Sequence, residues 1–197
     1  MERYFKFSEL SKLEQKLYYN YIYLFLMEAN IQYPAFSVWY SKLFTDELQL
    51  NSEREIIICE RDYELAGVTI LKSTKEESKI CTMYVAKKYR HNGLGRRLFE
   101  LSLEWLHNSK SVITLDKSKE PDFAGLLKCF GFVLQEEKMG MYSPGKTELI
   151  YNRGWVLNFA FLWKCCKNIQ CSATFSTCMD NVKTLHIWHI VFVIHQM

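Results

Sequence analysis

Apolar residues near the start of the chain recur every three to four positions. Leu13, Leu17, Tyr21 and Leu24, continued by Glu28, predict a helix over about 11–30, opened by Ser11 and Glu14 at capping-box spacing. Pro34 suits the first turn of a second helix running through Phe36, Trp39, Tyr40, Leu43 and Phe44 to about Leu48. The pattern then turns to β. Residues 55–60, 65–71 and 79–85 are apolar runs separated by Arg61-Asp62 and by the polar stretch 73–78, and they predict three consecutive antiparallel strands. After Gly93 and Gly95, the positions Leu94, Leu98, Leu101, Leu103, Trp105 and Leu106 predict a helix that ends near Asn108-Ser109. A strand over 112–115, a short helix over 123–130 stopped by Gly131, and strands over 132–135 and 147–151 follow. With Tyr4–Phe7 as a first strand the order is β-α-α-β-β-β-α-β-α-β-β, an α+β fold with a mixed sheet and no internal repeat.

Composition narrows the class. The 197 residues are 49% hydrophobic with a formal net charge of +3, which excludes a disordered tail, a collagen-like repeat and a polybasic nucleic-acid arm. The character changes near Gly154: from Trp155 onward only Lys164, Lys167, Asp180 and Lys183 are charged. Residues 1–154 are therefore read as the domain and 155–197 as an extension. Of the seven Cys, Cys59, Cys81 and Cys129 stand singly in apolar stretches and read as core thiols, while Cys165, Cys166, Cys171 and Cys178 crowd the extension. Together with His186 and His189 these four do not match a zinc spacing, and no metal is expected. The two apolar runs of the extension are too short to span a bilayer, and a dimer contact through its aromatics is one role open to it. Met1-Glu2-Arg3-Tyr4 leads into mixed polar sequence without a signal peptide, so the expected compartment is the cytoplasm.

Two glycine motifs compete for the chemistry. Gly140 to Thr147 satisfies the phosphate-loop pattern G-x-x-x-x-G-K-S/T, but a β-like run, Thr-Glu-Leu-Ile-Tyr-Asn, follows where a helix is required. Pro144-Gly145 also fits the centre of a type II turn between two strands. The second motif, Arg90-His91-Asn92-Gly93-Leu94-Gly95-Arg96-Arg97, lies between an apolar strand and a helix. There the unpaired amides of a first helical turn and the helix dipole favour an anion, and the arginines add charge.

At these residues the sequence resembles the GCN5-related N-acetyltransferase (GNAT) family, in the manner of its small bacterial members. The family's acetyl-CoA loop R/Q-x-x-G-x-G/A is matched by Arg90 to Gly95, its fourth strand by 79–85, its third helix by 94–107, its fifth strand by 112–116, and its short fourth helix with a Gly-Phe exit by Leu127 to Phe132. Tyr142 to Asn152 resembles the closing hairpin. The resemblance implies the acyl-CoA N-acyltransferase fold, a mostly antiparallel mixed sheet flanked by helices, and transfer of an acetyl group from acetyl-CoA to a primary amine by direct attack. It also implies that the backbone of Met83, Tyr84 and Val85 pairs with the pantetheine arm, and that Arg90, His91, Asn92, Gly93, Leu94, Gly95 and Arg96 hold the pyrophosphate.

The chain departs from the family at its proton carriers. Leu127 stands where many members place the Tyr that protonates the leaving thiolate, and the fourth strand has no Glu. Tyr142 and then Tyr84 are the substitute acids, and a water chain, or Glu28 or Asp46, serves as base. The amine acceptor, a small molecule or a protein, is expected against Asn30 to Phe36, and the charge distribution indicates no nucleic acid. Three functions stand: an acetyltransferase, a nucleotide binder through Gly140–Thr147, and an acyl-CoA-binding module without catalysis.

Overall fold

The computed structural model describes residues 1–28, 35–45, 50–108 and 110–153. Asp46, most of the expected acceptor segment and the whole extension lie outside the described residues, as does the side chain of Glu28.

Seven strands form one sheet in the order β1-β2-β3-β4-β5-β7-β6. They are β1 (Glu2–Lys6), β2 (Arg54–Arg61), β3 (Glu64–Ser73), β4 (Ser78–Val85), β5 (Val112–Asp116), β6 (Phe132–Met139) and β7 (Thr147–Arg153). Every pairing is antiparallel except β4 with β5, so the fold is the expected α+β arrangement with a mostly antiparallel sheet flanked by helices.

Alternation along the strands divides the core between the two faces. On one, Leu94, Leu98, Phe99, Leu103 and Leu106 of α3 (Leu94–Leu106), with Leu127 of α4 (Glu120–Cys129), bury against Ile57, Leu71, Ile80, Ile113 and Leu149. On the other, Ile22, Phe25 and Leu26 of α1 (Lys12–Glu28) and Phe36 and Tyr40 of α2 (Phe36–Ser41) bury against Ile56, Ile58, Val68 and Ile70. Gly67 of β3 lets α3 approach: a Cβ there would lie 2.7 Å from Leu98 Cδ1 and 2.8 Å from Leu94 Cδ2.

Three expectations are corrected. The periodic set on α1 faces solvent: Leu13 is 71% exposed, Leu17 64% and Leu24 60%. Its companion set around Ile22, Phe25 and Leu26 is buried instead, because Tyr19 and Tyr23 on the same side of α1 pack edge-on or tilted against Tyr40 and Phe44. The helix α2 stops at Ser41, where Leu43 and Phe44 donate to Tyr40 and Ser41 in tightened turns and Phe44 bridges to Leu50. Cys129 is exposed, not a core thiol, and accepts from Arg96 Nη2 at 2.9 Å, whereas burial pushes the Cys59 thiol up to about 11.

Candidate active site

The site forms where two parallel strands part. Pairing of β4 with β5 is confined to Lys79↔Val112 and Ile80↔Ile113, yet β4 continues to Val85 and β5 to Asp116. A bulge helps turn β4 away: Ile70 pairs with Thr82 and Leu71 with Ile80, leaving Cys81 as the extra residue. Along 81–85 the edge of β4 facing β5 therefore has no strand partner among the described residues. The bulge also resets the faces, so that Met83 and Val85 pack toward α3 while Cys81 and Tyr84 pack toward α1 and α2.

The first turn of α3 stands beside this open edge. Gly93 caps the helix at φ +81°, with nothing among the described residues within 4 Å of its ideal Cβ position, and the preceding His91 is also left-handed at φ 62°. A Cβ on Gly95 would rest 3.6 Å from Met83 Cε and 3.7 Å from Val85 Cγ2, which fixes the distance between helix and strand. The amides of Leu94, Gly95 and Arg96 have no intrahelical acceptor. Arg90 turns back from the loop, donating from Nε to the Val85 carbonyl at 3.0 Å with its guanidinium 5.7 Å from the centre of the Tyr84 ring. Arg96 and Arg97 lean along the helix toward Glu100 and Glu104. Tyr84 is held between Arg90 and Phe25, whose ring centre lies 5.1 Å away.

On the α2 face, below the fork, is a cleft of about 330 Å³. Phe36 and Trp39 form its aromatic wall, Arg54, Lys72, Glu77 and Lys79 its charged floor, and Cys81, Thr82, Thr114 and Tyr142 the side nearest the fork. Of the two candidate acids, Tyr142 lines this cleft and Tyr84 does not. Lys79 Nζ donates to the Tyr142 hydroxyl at 3.1 Å. Of the expected acceptor segment, Ala35 and Phe36 are described, and both are in the wall. Burial pushes the Glu77 carboxyl up, but Lys72, Lys79 and Arg54 outweigh it and hold the group below its ordinary range, so it stays charged.

One carboxyl was absent from the sequence reading. Glu148 of β7 pairs with Asp116 and projects to the cleft face, the opposite face from Leu149 and Tyr151. It is fully buried, and neither carboxylate oxygen has a hydrogen-bond partner among the described residues. Burial and the neighbouring Asp116 raise its pKa, partly offset by Lys146 and Lys79. Nothing in the run Thr-Glu-Leu-Ile marks this Glu; its meaning depends on which face of β7 is covered.

A family model described as an acetyltransferase (GNAT) domain matches residues 27–139, more than half of the chain. The chain belongs to the GNAT acetyltransferase family. Solved structures agree on the fold. A GNAT-family acetyltransferase from Desulfovibrio desulfuricans is 14% identical over 77% of this chain and 98% of its own, with a TM-score of 0.59. The ribosomal-protein-S18-alanine N-acetyltransferase of Escherichia coli is 15% identical over 79% and 96%, with a TM-score of 0.56. The comparison with curated proteins finds no match.

Within this GNAT chain the nucleotide-loop alternative has no structural basis. Gly140–Lys146 is the turn between β6 and β7, and Thr147 opens β7: Gly140 N donates to Lys146 O at 2.8 Å, Lys146 N donates to Ser143 O at 3.2 Å, and Gly145 has φ +75° as a type II turn requires. A strand follows Lys146, whose ammonium pairs with Asp116 at 3.1 Å, so no helix N-terminus faces a phosphate. Leu127, at the family's Tyr position, is 1% exposed in the core beneath α3.

Proposed function

We propose that residues 1–154 form an acetyl-CoA-dependent N-acetyltransferase that acts in the cytoplasm on a primary amine of a small molecule or protein. The observation that carries this reading is the fork: β4 leaves β5 after Ile80, and its open edge ends beside the first turn of α3.

The residues present suit acetyl-CoA. The unpaired edge at Met83, Tyr84 and Val85 offers backbone groups to the amide-rich pantetheine arm. The amides from Asn92 to Arg96, beside the open space at Gly93, suit a pyrophosphate. Arg90 acts on the strand, holding the Val85 carbonyl and covering Tyr84. When bound, the thioester supplies the activated acyl group. The chain's share of the chemistry is orientation and proton transfer, with the acceptor nitrogen brought within about 3–3.5 Å of the carbonyl carbon. We assign Tyr142, which lines the cleft, to protonate the leaving thiolate, and Glu148, buried behind that lining, to receive the proton of the incoming amine through a water chain. A carboxyl with a raised pKa is suited to the second task.

The buried Leu127 favours a second reading, a module that binds acyl-CoA without turnover. Release of free CoA in the presence of an amine panel separates the two. The binding step is tested by thermal shift, in which acetyl-CoA is expected to raise the unfolding temperature and ATP–Mg to leave it unchanged; the reverse result overturns the assignment.

A further inference from the structure

Three cations stand in a row across the floor of the cleft. The register of the sheet places Arg54 of β2 directly opposite Lys72 of β3, and Lys72 directly opposite Lys79 of β4. All three line the cleft, so their side chains share one face. Like charges in direct cross-strand positions destabilise a sheet, and here two such pairs adjoin. The compensation within the described residues is partial: Glu77 pairs with Lys72 at 2.8 Å and lies 4.0 Å from Lys79, leaving three positive groups against one negative in the cleft lining. Arg54 has no carboxylate partner among the described residues. One of its Nη atoms donates to the Cys81 thiol at 3.3 Å, which leaves most of a five-donor guanidinium without an anionic acceptor.

We propose that this row binds a carboxylate of the acceptor, so that the substrate is an amino acid, or an amine of the same plan, carrying a free carboxylate next to its amino group and an apolar or aromatic side chain. The inference rests on the N-acetyltransferase reading and names the acceptor class of that site. Three features place the parts of such a molecule. Phe36 and Trp39, with ring centres 5.7 Å apart, form the apolar wall. The row begins at Lys79, two residues before the bulged Cys81 at the fork, a separation of roughly 7 Å along a strand. An amine and a carboxylate on one carbon lie about 3 Å apart, and the long side chains of the row, which line the cleft, cover the rest of that distance. The cleft volume is at the low end of the range for small-molecule sites, about 300–1,000 Å³.

The row also helps the chemistry. A second positive charge near Lys79 is disfavoured, so an ammonium placed there gives up its proton more readily, and the neutral amine is the nucleophile. In the transfer the amine nitrogen forms a bond to the acetyl carbon, the carbon–sulfur bond breaks with its electron pair leaving on sulfur, and the proton released from nitrogen balances the proton taken up by the thiolate. The same row disfavours polyamines and lysine-rich segments, which bring further positive charge.

The test uses the full chain and four probes: L-phenylalanine, L-phenylalaninamide, 2-phenylethylamine and spermidine, with thiol release as the readout. The expected result is a kcat/KM for phenylalanine at least tenfold above that for its amide, a comparable deficit for phenylethylamine, and spermidine the poorest of the four. Arg54→Leu is expected to cost phenylalanine at least tenfold more than it costs the amide, with partial recovery in Arg54→Lys. Equal or better use of the amide or of spermidine overturns the proposal while leaving the acetyltransferase reading intact. The probe series needs no variant, so it decides the matter even if Arg54→Leu fails to fold. Absence of transfer to all four, with acetyl-CoA still bound, overturns amines of this plan as acceptors and leaves the acetyltransferase reading to the wider amine panel. Calorimetry in the presence of CoA then decides the carboxylate site alone, through preferential binding of phenylalanine over its amide or the lack of it.

Discussion

Lys79 on β4 and Tyr142 in the β6–β7 turn are separated by 63 positions in the chain, yet the lysine ammonium donates to the tyrosine hydroxyl at 3.1 Å and lies 5.7 Å from the centre of its ring. The contact joins the turn to the strand that carries the fork. It brings a phenol into the same cleft as Cys81, Thr82 and Thr114, which follow the last paired residues of β4 and β5. The cleft thus has a proton carrier on one wall although the family's position for one, Leu127, is buried in the core.

Tyr142→Phe keeps the ring against Lys79 and removes the hydroxyl. The expected effect is a fall in kcat of tenfold or more, with KM for acetyl-CoA little changed, because general-acid contributions commonly run from about 100- to 10,000-fold and a thiolate needs less help than most leaving groups. Steady-state thiol release checks it. An unchanged kcat removes Tyr142 from proton transfer and reduces it to a wall of the cleft.

Gly67 sets how closely α3 can lie on the sheet. A β-branched side chain there meets Leu94 and Leu98, which are 2% and 0% exposed and have little room to withdraw, and the Tyr84 carbonyl lies 3.3 Å from the added Cβ. Gly67→Val is expected to lower stability by about 1–3 kcal/mol, the usual range for overpacking. It is also expected to weaken acetyl-CoA binding, because the displaced element is the helix whose first turn faces the open edge of β4. Urea unfolding and calorimetry give the two readings. A variant that loses stability and binds acetyl-CoA normally separates the helix position from the ligand site.

The order and type of the elements were readable from the chain, and for physical reasons. Strands β2 and β3 carry continuous apolar stretches because both faces of the sheet are covered there, and Gly93 marks a helix entry whose conformation few other residues adopt. The pattern misled at α1, which has apolar residues on two sides. Periodicity selected Leu13, Leu17, Tyr21 and Leu24, whereas packing against the aromatic side chains of α2 selected Ile22, Phe25 and Leu26. The site divides in the same way. The strand-to-helix entry at Arg90–Arg96 is local in sequence and its geometry was legible, but the cation row and Glu148 depend on strand register, and no local pattern specifies which residue stands opposite which.

Arg90 was read as a charge for the pyrophosphate, and its observed contacts give a different expectation. Its Nε holds the carbonyl of Val85, at the end of the strand edge that would meet the pantetheine arm. Arg90→Ala is expected to raise the dissociation constant for acetyl-CoA about fivefold, corresponding to roughly 1 kcal/mol for a solvent-exposed charged hydrogen bond. The loss is expected to be similar for acetyl-pantetheine, which lacks the nucleotide phosphates. A loss confined to acetyl-CoA assigns Arg90 to the phosphates instead.

Glu148 separates stability from activity. Burial and Asp116 raise its carboxyl pKa in the folded protein, so between the ordinary carboxylate range and that raised value the folded state holds a proton that the unfolded chain has lost. Stability from this group is therefore fully present at acid pH and is lost as pH rises through the folded pKa, after which the ionised carboxylate remains a constant burden. Glu148→Gln removes the titration. Its unfolding temperature is expected to exceed that of the natural chain at neutral pH, with the difference vanishing below the ordinary carboxylate range. If the same carboxylate takes the proton of the amine, the variant is the more stable protein and the slower enzyme, with kcat reduced at least tenfold and the acidic limb of its pH profile flattened. Higher stability with an unchanged kcat and pH profile assigns Glu148 to the buried sheet face alone and leaves deprotonation of the amine to the field of Arg54, Lys72 and Lys79.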